Sequence, residues 1–350
     1  MPERPTNTQA AILVAQQKSL VVDTIELPEQ LEVGQVLVEL KVSGICGSQL
    51  GEIDGVKGPD RFLPHLMGHE GFAVVLEVGP GVKNVKPGDS VVLHWRPGAG
   101  IQADPPKYRW RGQPLNAGWV TTFNRHAVVS ENRCTKVPEG TDPEAAALFG
   151  CAITTGFGVV ENNARLRMGE SVVVFGAGGI GLNIIQAAAL ISATPIIAVD
   201  LHDSRLELAR RLGATHTINS AKGDAAELIK QALADQPLDV FIDNTGVPAV
   251  IELGYQLSQR EGRVILVGVP RLGQNLNVYS LPLHFGKVLS GSQGGECQPD
   301  RDIPRYLRLL ERGSLQLDRF VSARFPLEEI NAAISAMRDG ATAGRVMITL

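Results

Sequence analysis

The chain has 350 residues, of which 44% are hydrophobic, and a formal net charge of -4. This composition supports a packed interior and excludes a largely disordered chain, while the charge gives no reason to expect nucleic acid or an anionic membrane as partner. No apolar run reaches about 18 residues, the length that a membrane-spanning helix needs, and the polar N-terminus lacks a signal-peptide layout. Four scattered cysteines make no disulfide framework, so we expect a cytoplasmic enzyme or binding protein.

The first 150 residues alternate short strands with turns. Clusters of glycine and proline, such as Gly79-Pro80-Gly81, separate segments that are rich in β-branched residues. The predicted strands are Val36–Val42, Phe72–Val78, Ser90–His94 and Thr121–Val129. This part of the chain is therefore expected to be almost entirely β, as a small distorted barrel.

The stretch between His94 and Trp119 has no regular periodicity. Proline and glycine interrupt it repeatedly, and irregular loops of this length are usually functional or disordered. Because Tyr108, Trp110 and Trp119 provide large side chains for packing, we expect an ordered surface lobe.

From about residue 153 the pattern changes to alternating strands and helices. Helical segments such as Leu182–Leu190, Ser204–Leu212 and Ala225–Ala234 lie between short apolar runs, which predicts a doubly wound parallel six-stranded sheet. The predicted strands are Ser171–Phe175, Pro195–Val199, Thr215–Ile218, Asp239–Asp243, Arg263–Val269 and Val288–Ser292.

The last 55 residues are expected to return to the first part of the chain. They contain predicted helices at Ile303–Arg312 and Leu327–Asp339 and a closing strand at Arg345–Thr349. We therefore predict a catalytic domain over 1–152 and 295–350, interrupted by a nucleotide-binding domain over 153–294.

A glycine-rich turn joins the first strand of the predicted parallel sheet to a helix. In Gly176-Ala177-Gly178-Gly179-Ile180-Gly181, Gly176 permits a tight turn, Gly178 lets the backbone approach a pyrophosphate, and Gly181 lets the helix pack on the strand. Asp200 ends the next strand at a spacing that suits hydrogen bonds from an adenosine ribose. Dinucleotide binding is predicted, with NAD preferred over NADP, although Asp200 could instead cap the next helix. Arg205 could assist either cofactor.

Cysteine and histidine form a second constellation. Cys46 and Ser48 lie in Gly44-Ile45-Cys46-Gly47-Ser48, His69-Glu70 follows some twenty residues later, and Cys151 stands near the domain junction. Thiolate and imidazole are preferred zinc ligands, and two cysteines with one histidine leave a position for water or substrate. Separately, each residue is more often a packing residue than a ligand.

Together these motifs resemble the zinc-dependent alcohol dehydrogenases of the medium-chain dehydrogenase/reductase superfamily. The resemblance covers nearly the whole chain, including Gly68-His69-Glu70-Gly71, Thr154-Thr155-Gly156 and the ending Gly344-Arg345-Val346. It implies a GroES-like β-rich catalytic domain and a Rossmann domain. It also implies hydride transfer between an alcohol and NAD, giving a ketone or aldehyde, in a homodimer or homotetramer.

The resemblance also implies roles for single residues. Cys46, His69 and Cys151 would bind one catalytic zinc ion, with Glu70 close behind and able to enter the coordination shell, and Ser48 would hydrogen-bond the substrate oxygen. The implied cofactor contacts beyond the glycine turn are Thr155 near the nicotinamide, Val267 and Val269 beside its ring, and Arg345 at the pyrophosphate.

Three positions depart from the family pattern. The lobe between His94 and Trp119 lacks the cysteines of the family's structural zinc site, so one zinc per chain is expected. Gln49 replaces an aspartate that braces the ligand histidine, and Gly51 replaces a relay histidine. Proton exit must then use water, the cofactor ribose or another group, for which His65 is a candidate.

Two alternatives remain open at this point: a zinc-free quinone or enone reductase of the same fold, and a non-catalytic dinucleotide-binding protein. The cysteine and histidine set argues against both. The substrate is least defined by the sequence. The polar Gln49–Glu52 and Arg109-Trp110-Arg111 segments favour a polyhydroxylated or anionic alcohol, such as a sugar, a cyclitol or another polyol derivative.

Overall fold

Three β-sheets organise the chain, for which a computed structural model describes residues 4–317, 319–340 and 342–350. Two of the sheets belong to the β-rich part of the molecule, where the chain crosses repeatedly between them. Its strands are β1 Asn7–Leu13, β2 Val21–Glu26, β3 Gln35–Ile45, β4 His65–Leu66, β5 Glu70–Val78, β6 Ser90–His94, β7 Tyr108–Trp110, β8 Gln113–Leu115, β9 His126–Ser130 and β10 Cys134–Lys136.

The third sheet is parallel and occupies the middle of the sequence. Its strands are β11 Val172–Phe175, β12 Ile196–Asp200, β13 His216–Asn219, β14 Val240–Asp243, β15 Arg263–Leu266 and β16 Val288–Gly291. They lie in the order β13-β12-β11-β14-β15-β16, the arrangement of a dinucleotide-binding Rossmann sheet. From β11 the chain adds β12 and β13 on one side, and it then continues with β14, β15 and β16 on the other side. Because the strand order reverses between β11 and β14, a crevice opens at the carboxyl ends of these two strands.

Helices cover both faces of the parallel sheet and join it to the β-rich part. Their bounds are α1 Gly47–Asp54, α2 Pro143–Leu148, α3 Ala152–Gly158, α4 Gly179–Leu190, α5 Asp203–Arg211, α6 Ala225–Leu233, α7 Pro248–Leu257, α8 Pro299–Glu311 and α9 Ile330–Arg338. Within the described ranges, no helix is both long enough and apolar enough to cross a membrane.

The last two strands, β17 Val321–Pro326 and β18 Arg345–Thr349, return to the β-rich part. β18 pairs antiparallel with β3, with Val346 opposite Ile45, which agrees with the predicted return of the closing strand. The exact domain boundaries near residues 152 and 295 stay a prediction.

One continuous apolar core joins the two parts. It contains Val42 and Phe72 from the β-rich part, Phe157 from α3, Val174 from the parallel sheet and Tyr306 from α8. Interiors packed in this way are poorly compressible. The cleft between the two parts is therefore lined by elements that share one core.

Several element bounds differ from the sequence prediction for identifiable reasons. β9 begins at His126 and not at Thr121, because Phe123 donates its N–H to Met67 and so pairs outside the sheet. β15 ends at Leu266, because the N–H groups of Val267 and Gly268 both bond the carbonyl of Asp243.

The lobe after β6 is ordered, but packing of its aromatic residues is only part of the reason. Tyr108 is buried and its hydroxyl accepts the N–H of Val128 at 2.7 Å, whereas Trp119, expected to pack, is 42% exposed. The buried Glu131 carboxylate accepts backbone N–H groups from Lys83, Asn84 and Ile101 at 2.7 to 2.9 Å. Charged acceptors make strong hydrogen bonds, so this carboxylate connects the lobe to the turn between β5 and β6.

Candidate active site

The predicted zinc ligands come together at the junction of the two parts. Cys46 follows β3 and precedes α1, His69 precedes β5, and Cys151 precedes α3. The two cysteine sulfurs and a ring nitrogen of His69 all lie within 4.8 Å of one another. Three chain segments far apart in sequence thus deliver two thiols and one imidazole to one point.

The chemistry of this cluster fits a zinc ion. Both thiols are buried, and among the described residues the buried Nε2 of His69 has no hydrogen-bond partner. An unpaired buried polar atom is costly, and two sulfurs and one imidazole are a known zinc donor set. A hydrogen bond between the thiols lowers the pKa of Cys46 and raises the pKa of Cys151. Without a metal, the Cys46 thiol therefore loses its proton at a lower pH than the Cys151 thiol.

Gln49 connects two of the candidate ligands. Its side-chain oxygen accepts the N–H of Cys46 at 2.7 Å, and its side-chain nitrogen contacts Nδ1 of His69. Metal ligation through Nε2 requires the imidazole proton on Nδ1, and that N–H needs an acceptor. The Gln49 amide must therefore turn its oxygen toward His69 when a metal binds, at the expense of the bond to Cys46.

We expect Gln49→Asp to tighten zinc binding by about tenfold or more, the scale of changes in outer-shell partners of a metal site. A carboxylate can accept from the Cys46 N–H and the His69 Nδ1–H at the same time, which one amide oxygen does less well. Competition with a chromogenic chelator measures the affinity. Gln49→Leu should weaken zinc binding. A Gln49→Asp variant that binds zinc no more tightly than the wild type would refute the proposed effect of residue 49 on Cys46 and His69.

Glu70 is held by an arginine and not among the candidate ligands. Its carboxylate forms an ion pair with Arg345, with Oε1 at 2.6 Å from Nε, and it accepts the N–H of Ala152 at 3.1 Å. Both side chains are almost fully buried. A Cβ on Gly44 would lie 2.0 Å from Glu70 Oε1, so glycine leaves the space that this carboxylate fills. Coordination by Glu70 stays a prediction and would require its bonds to Arg345 to loosen.

Arg345 lies between this carboxylate and the glycine turn. A Cβ on Gly179 would lie 3.2 Å from Arg345 Nη1, so the guanidinium reaches the start of α4. Its predicted contact with the cofactor pyrophosphate is therefore sterically accessible, while its observed partner is Glu70. The contact itself stays a prediction.

The glycine turn has the local geometry that its sequence predicts. Gly176 has φ of 98°, which favours glycine, and a Cβ on Gly181 would lie 1.9 Å from the carbonyl oxygen of Gly176. A Cβ on Gly178 would meet nothing within 4 Å, because this residue faces open space. The N-terminus of α4 is thus left free to face an anion.

A cleft of about 860 Å³ runs from the glycine turn to the cysteine cluster. It passes the carboxyl ends of β11, β12, β14 and β15, where this fold binds ligands. Its lining includes ten of the predicted cofactor residues: Gly176, Gly178, Gly179, Ile180, Gly181, Asp200, Arg205, Val267, Val269 and Arg345. Thr155, the eleventh, lines an adjoining pocket with Cys46, His69 and Cys151.

The adjoining pocket has a volume of about 680 Å³. Cys46 and Ser48 line both this pocket and the cofactor cleft, so the two cavities meet at these residues. Ser48 lies in the first turn of α1, two residues after Cys46, and faces both spaces. The predicted hydroxyl is therefore beside the zinc cluster, at the boundary between the cofactor cleft and the second pocket.

Comparisons with known proteins agree with this architecture. Residues 32–139 match the family described as alcohol dehydrogenase GroES-like domain, and residues 179–312 match the family described as zinc-binding dehydrogenase. The chain is 32% identical to the class-3 alcohol dehydrogenase of Cereibacter sphaeroides, covering 97% of this chain and 99% of that protein. It is also 32% identical to the S-(hydroxymethyl)glutathione dehydrogenase of Escherichia coli O1:K1, covering 95% and 97%.

Solved structures give the same result. The crystal structure of benzyl alcohol dehydrogenase from Acinetobacter calcoaceticus superimposes with a TM-score of 0.88 at 29% identity, covering 98% of this chain and 99% of that one. A zinc-binding-domain alcohol dehydrogenase from Burkholderia ambifaria superimposes with a TM-score of 0.89 at 31% identity, covering 98% and 99%.

The chain belongs to the zinc-dependent alcohol dehydrogenases of the medium-chain dehydrogenase/reductase superfamily. It is an oxidoreductase that uses zinc and NAD and acts on a small-molecule alcohol or carbonyl compound. The zinc-free reductase and the non-catalytic binding protein are not favoured, because the candidate ligands are present and converge at one point.

Asp200 in this dehydrogenase ends β12 and lines the cofactor cleft, so its predicted role in selecting NAD over NADP can be examined in the structure. It is buried, its Oδ2 accepts the N–H of Ala177 at 2.8 Å and its Oδ1 accepts the N–H of His202 at 3.0 Å. Arg205 Nη1 lies 3.7 Å from Oδ1. The carboxylate is therefore fixed at the edge of the cleft, although its backbone bonds also fit the capping role considered above.

We expect NAD to be used better than NADP by about 10²–10³-fold in kcat/KM, because two anions about 4 Å apart at a protein surface repel by about 4 kcal/mol. Asp200→Ser should reduce this preference by at least tenfold. Asp203→Asn, on the exposed face of α5, is the matched control and should leave the preference unchanged. Equal use of both cofactors by the wild-type enzyme would show that Asp200 does not select.

The structure also corrects the sequence argument about the substrate. Arg109 and Arg111 lie on the β7–β8 hairpin, where their guanidinium groups approach Glu26 and Asp23. In the described part of the chain neither arginine lines the cleft or the adjoining pocket. They therefore do not support an anionic or polyhydroxylated substrate.

Three other polar residues at the pocket were not predicted as a group. Glu52, Asp60 and His65 bring a ligand atom each within 4.8 Å of one another, and Glu52 and Asp60 line the pocket. The spacing of Ser48 and Glu52, four residues apart in a helix, is the sequence signal that could have indicated a shared face. Asp60 gives no comparable signal, because a loop brings it to the site.

Proposed function

We propose that this dehydrogenase oxidises a polyhydroxylated alcohol, such as a sugar, cyclitol or other polyol derivative, with NAD as hydride acceptor. The supporting observation is the polar lining of the pocket beyond the zinc cluster. Gln16, Glu52, Lys57 and Asp60 all line it, and these side chains donate and accept hydrogen bonds. A substrate with several hydroxyl groups can form several hydrogen bonds with such a lining, whereas a simple alkyl alcohol offers only one hydroxyl group.

Each residue of the site would then have a defined task. Cys46, His69 and Cys151 would hold the zinc ion, which supplies a Lewis acid that polarises the alcohol oxygen. Ser48 would take the hydroxyl proton. Trp95, Val267 and Val269, which line the pocket, would exclude water from the place where hydride passes to the nicotinamide. The glycine turn would hold the pyrophosphate, and Asp200 would hold the adenosine ribose.

A substrate panel tests the proposal. NADH formation would be followed with sugars, cyclitols, linear polyols and simple alkyl and benzyl alcohols at equal concentrations. We expect the highest kcat/KM for a substrate with several hydroxyl groups. A clear preference for alkyl or benzyl alcohols would contradict the proposed substrate class and leave the dehydrogenase chemistry unaffected.

We also propose that the enzyme is a homodimer formed along the edge of the parallel sheet. In the described ranges β16 pairs only with β15, so its outer edge is open. Large apolar side chains lie exposed on and shortly before this strand: Tyr279 at 71%, Leu281 at 46%, Phe285 at 50% and Val288 at 41%. An open edge beside exposed apolar groups favours pairing with another chain, here a second copy.

Phe285→Glu together with Val288→Glu should convert the dimer to a monomer, because two carboxylates would be buried without partners in the interface. Light scattering coupled to size exclusion measures the mass. The matched control is Met168→Glu, whose residue is 81% exposed on another surface. A wild-type monomer, or a double variant that stays dimeric, would refute this interface.

A cytoplasmic location is proposed on the state of the cysteines. Cys46, Cys134, Cys151 and Cys297 are all free and buried. Free thiols suit a compartment that keeps cysteine reduced.

A further inference from the structure

Glu52, Asp60 and His65 form a charged cluster on the wall of the substrate pocket, apart from the zinc ligands. His65 is buried, with Nδ1 at 2.9 Å from the carbonyl oxygen of Leu66 and Nε2 at 2.8 Å from Asp60 Oδ2. Both partners are hydrogen-bond acceptors, so both ring nitrogens of His65 are engaged. With both nitrogens engaged, His65 is a poor metal ligand, and the cluster is better described as a hydrogen-bonded network.

Glu52 is the member of the network that faces the reaction. It lies 3.7 Å from His65 Nε2, lines the same pocket as Ser48 and His69, and keeps 45% of its side chain accessible. Ser48 and Glu52 are four residues apart on α1, so they are neighbours on one helix face with Cβ atoms about 5–6 Å apart. The flexible glutamate side chain can span that distance.

Gly51 leaves this route open. A Cβ on Gly51 would meet only Val56 Cγ2, at 3.0 Å, and Gly51 lines both the cofactor cleft and the adjoining pocket, as Ser48 does. The charged or titratable groups that face Glu52 are His65, His69, Lys57 and Asp60. Enclosure in the pocket raises the pKa of Glu52, against the opposing effect of His65, and a carboxyl group with a raised pKa is a better proton acceptor near neutral pH.

We propose that Glu52 accepts the proton that Ser48 receives from the alcohol and releases it to solvent at the pocket mouth. This inference rests on the proposed dehydrogenase function. His65, fixed by Asp60, is a positioning residue that keeps Glu52 ionised between turnovers.

The proton transfer balances as follows in alcohol oxidation. The alcohol O–H bond breaks and its proton goes to the Ser48 oxygen, while the Ser48 proton moves to a carboxylate oxygen of Glu52. The substrate C–H electron pair leaves as hydride to NAD. Glu52, now neutral, gives its proton to water, so one alcohol and one NAD yield one carbonyl compound, one NADH and one proton.

The test compares Glu52→Gln with the wild-type holoenzyme by stopped flow, following NADH formation and proton release with a pH indicator. We expect hydride transfer at neutral pH to fall by about 10²-fold, the lower range for a positioned acid–base group, and to recover as pH rises. Zinc content and NAD affinity should be unchanged. Glu227→Gln, which removes an exposed helical glutamate paired with Lys230, is the control and should behave as wild type.

Two further variants separate a relay from a structural role. Glu52→Gln combined with Gly51→His should regain at least tenfold in rate, because an imidazole at residue 51 would face the same two cavities as Ser48 and could accept its proton. His65→Gln alone should shift the pH dependence of hydride transfer to higher pH. His65 lowers the pKa of Glu52, so its removal should raise the pKa of that carboxyl group.

A Glu52→Gln enzyme with the wild-type rate and pH profile would overturn the inference while leaving the dehydrogenase function intact. Formate, a small carboxylate, could take the place of the missing Glu52 side chain. A loss of rate that neither Gly51→His nor added formate restores would also overturn the inference, since another proton acceptor can repair a relay defect but not a packing defect. Absence of any alcohol-dependent NADH formation in the wild type would refute the proposed function itself.

Discussion

Cys46→Ser and His69→Ala are each expected to abolish zinc binding and to lower turnover by about 10³-fold or more. The zinc site contributes several kcal/mol of charge stabilisation to the reaction, and each 1.36 kcal/mol corresponds to a factor of ten in rate. Both residues point a donor atom into the cluster, and the buried Nε2 of His69 has no other partner among the described residues. Removing either donor leaves two ligands, too few to hold the ion.

Elemental analysis and steady-state kinetics on the same samples measure this effect. Cys134→Ser is the matched control, because Cys134 is also buried but lies outside the cluster, with its thiol directed at the carbonyl of Ser130. Circular dichroism should show the fold intact in all variants. A His69→Ala enzyme that keeps zinc and turnover would exclude His69 as a ligand.

Ser48→Ala is expected to lower turnover by about 10²–10⁴-fold, the usual contribution of a positioned acid–base group, with NAD affinity close to the wild-type value. Ser48 stands where the cofactor cleft and the substrate pocket meet, next to Cys46. Alanine keeps the helix turn but removes the hydroxyl group, so the alcohol proton would lose its proposed first acceptor.

Two comparison variants make the Ser48 result interpretable. Ser48→Thr keeps the hydroxyl and should retain most of the turnover, while Ser335→Ala removes a serine hydroxyl from α9, where it bonds the carbonyl of Asn331 outside the site. Fluorescence titration gives the NAD affinity. Undiminished turnover of Ser48→Ala would remove this residue from the reaction.

The sequence alone was sufficient for the fold class because its signals are local. A buried strand, a glycine turn and a helix follow one another at Val172–Leu190, and the structure confirms the parallel six-stranded sheet that they predict. Bounds were less predictable where a long-range bond ends a strand. The Asp243 carbonyl captures two N–H groups after β15, and no local pattern reports such a bond.

The zinc ligands were the predictable part of the candidate site, because cysteine and histidine are the residue types that bind zinc. Cysteine and histidine are rare enough for Cys46, His69 and Cys151 to be recognised from the chain, and the structure brings them together. Charged residues are common, so their partners were not predictable. The pairing of Glu70 with Arg345 joins residues 275 positions apart.

The lobe shows the same limitation. Absence of cysteine between His94 and Trp119 predicts that a structural zinc site is missing, yet it does not say which contacts order the lobe. The structure shows the Glu131 carboxylate binding three backbone N–H groups from two loops. An isolated glutamate in a sequence is usually a solvated surface residue, so its buried role becomes visible only in three dimensions.

Elemental analysis of extensively dialysed, fully active protein is the most direct test of the central claim. The account predicts one zinc ion per chain, held by Cys46, His69 and Cys151, because the other cysteines, Cys134 and Cys297, are too few for a closed four-ligand site. Two zinc ions per chain, or a fully active enzyme without zinc, would contradict it.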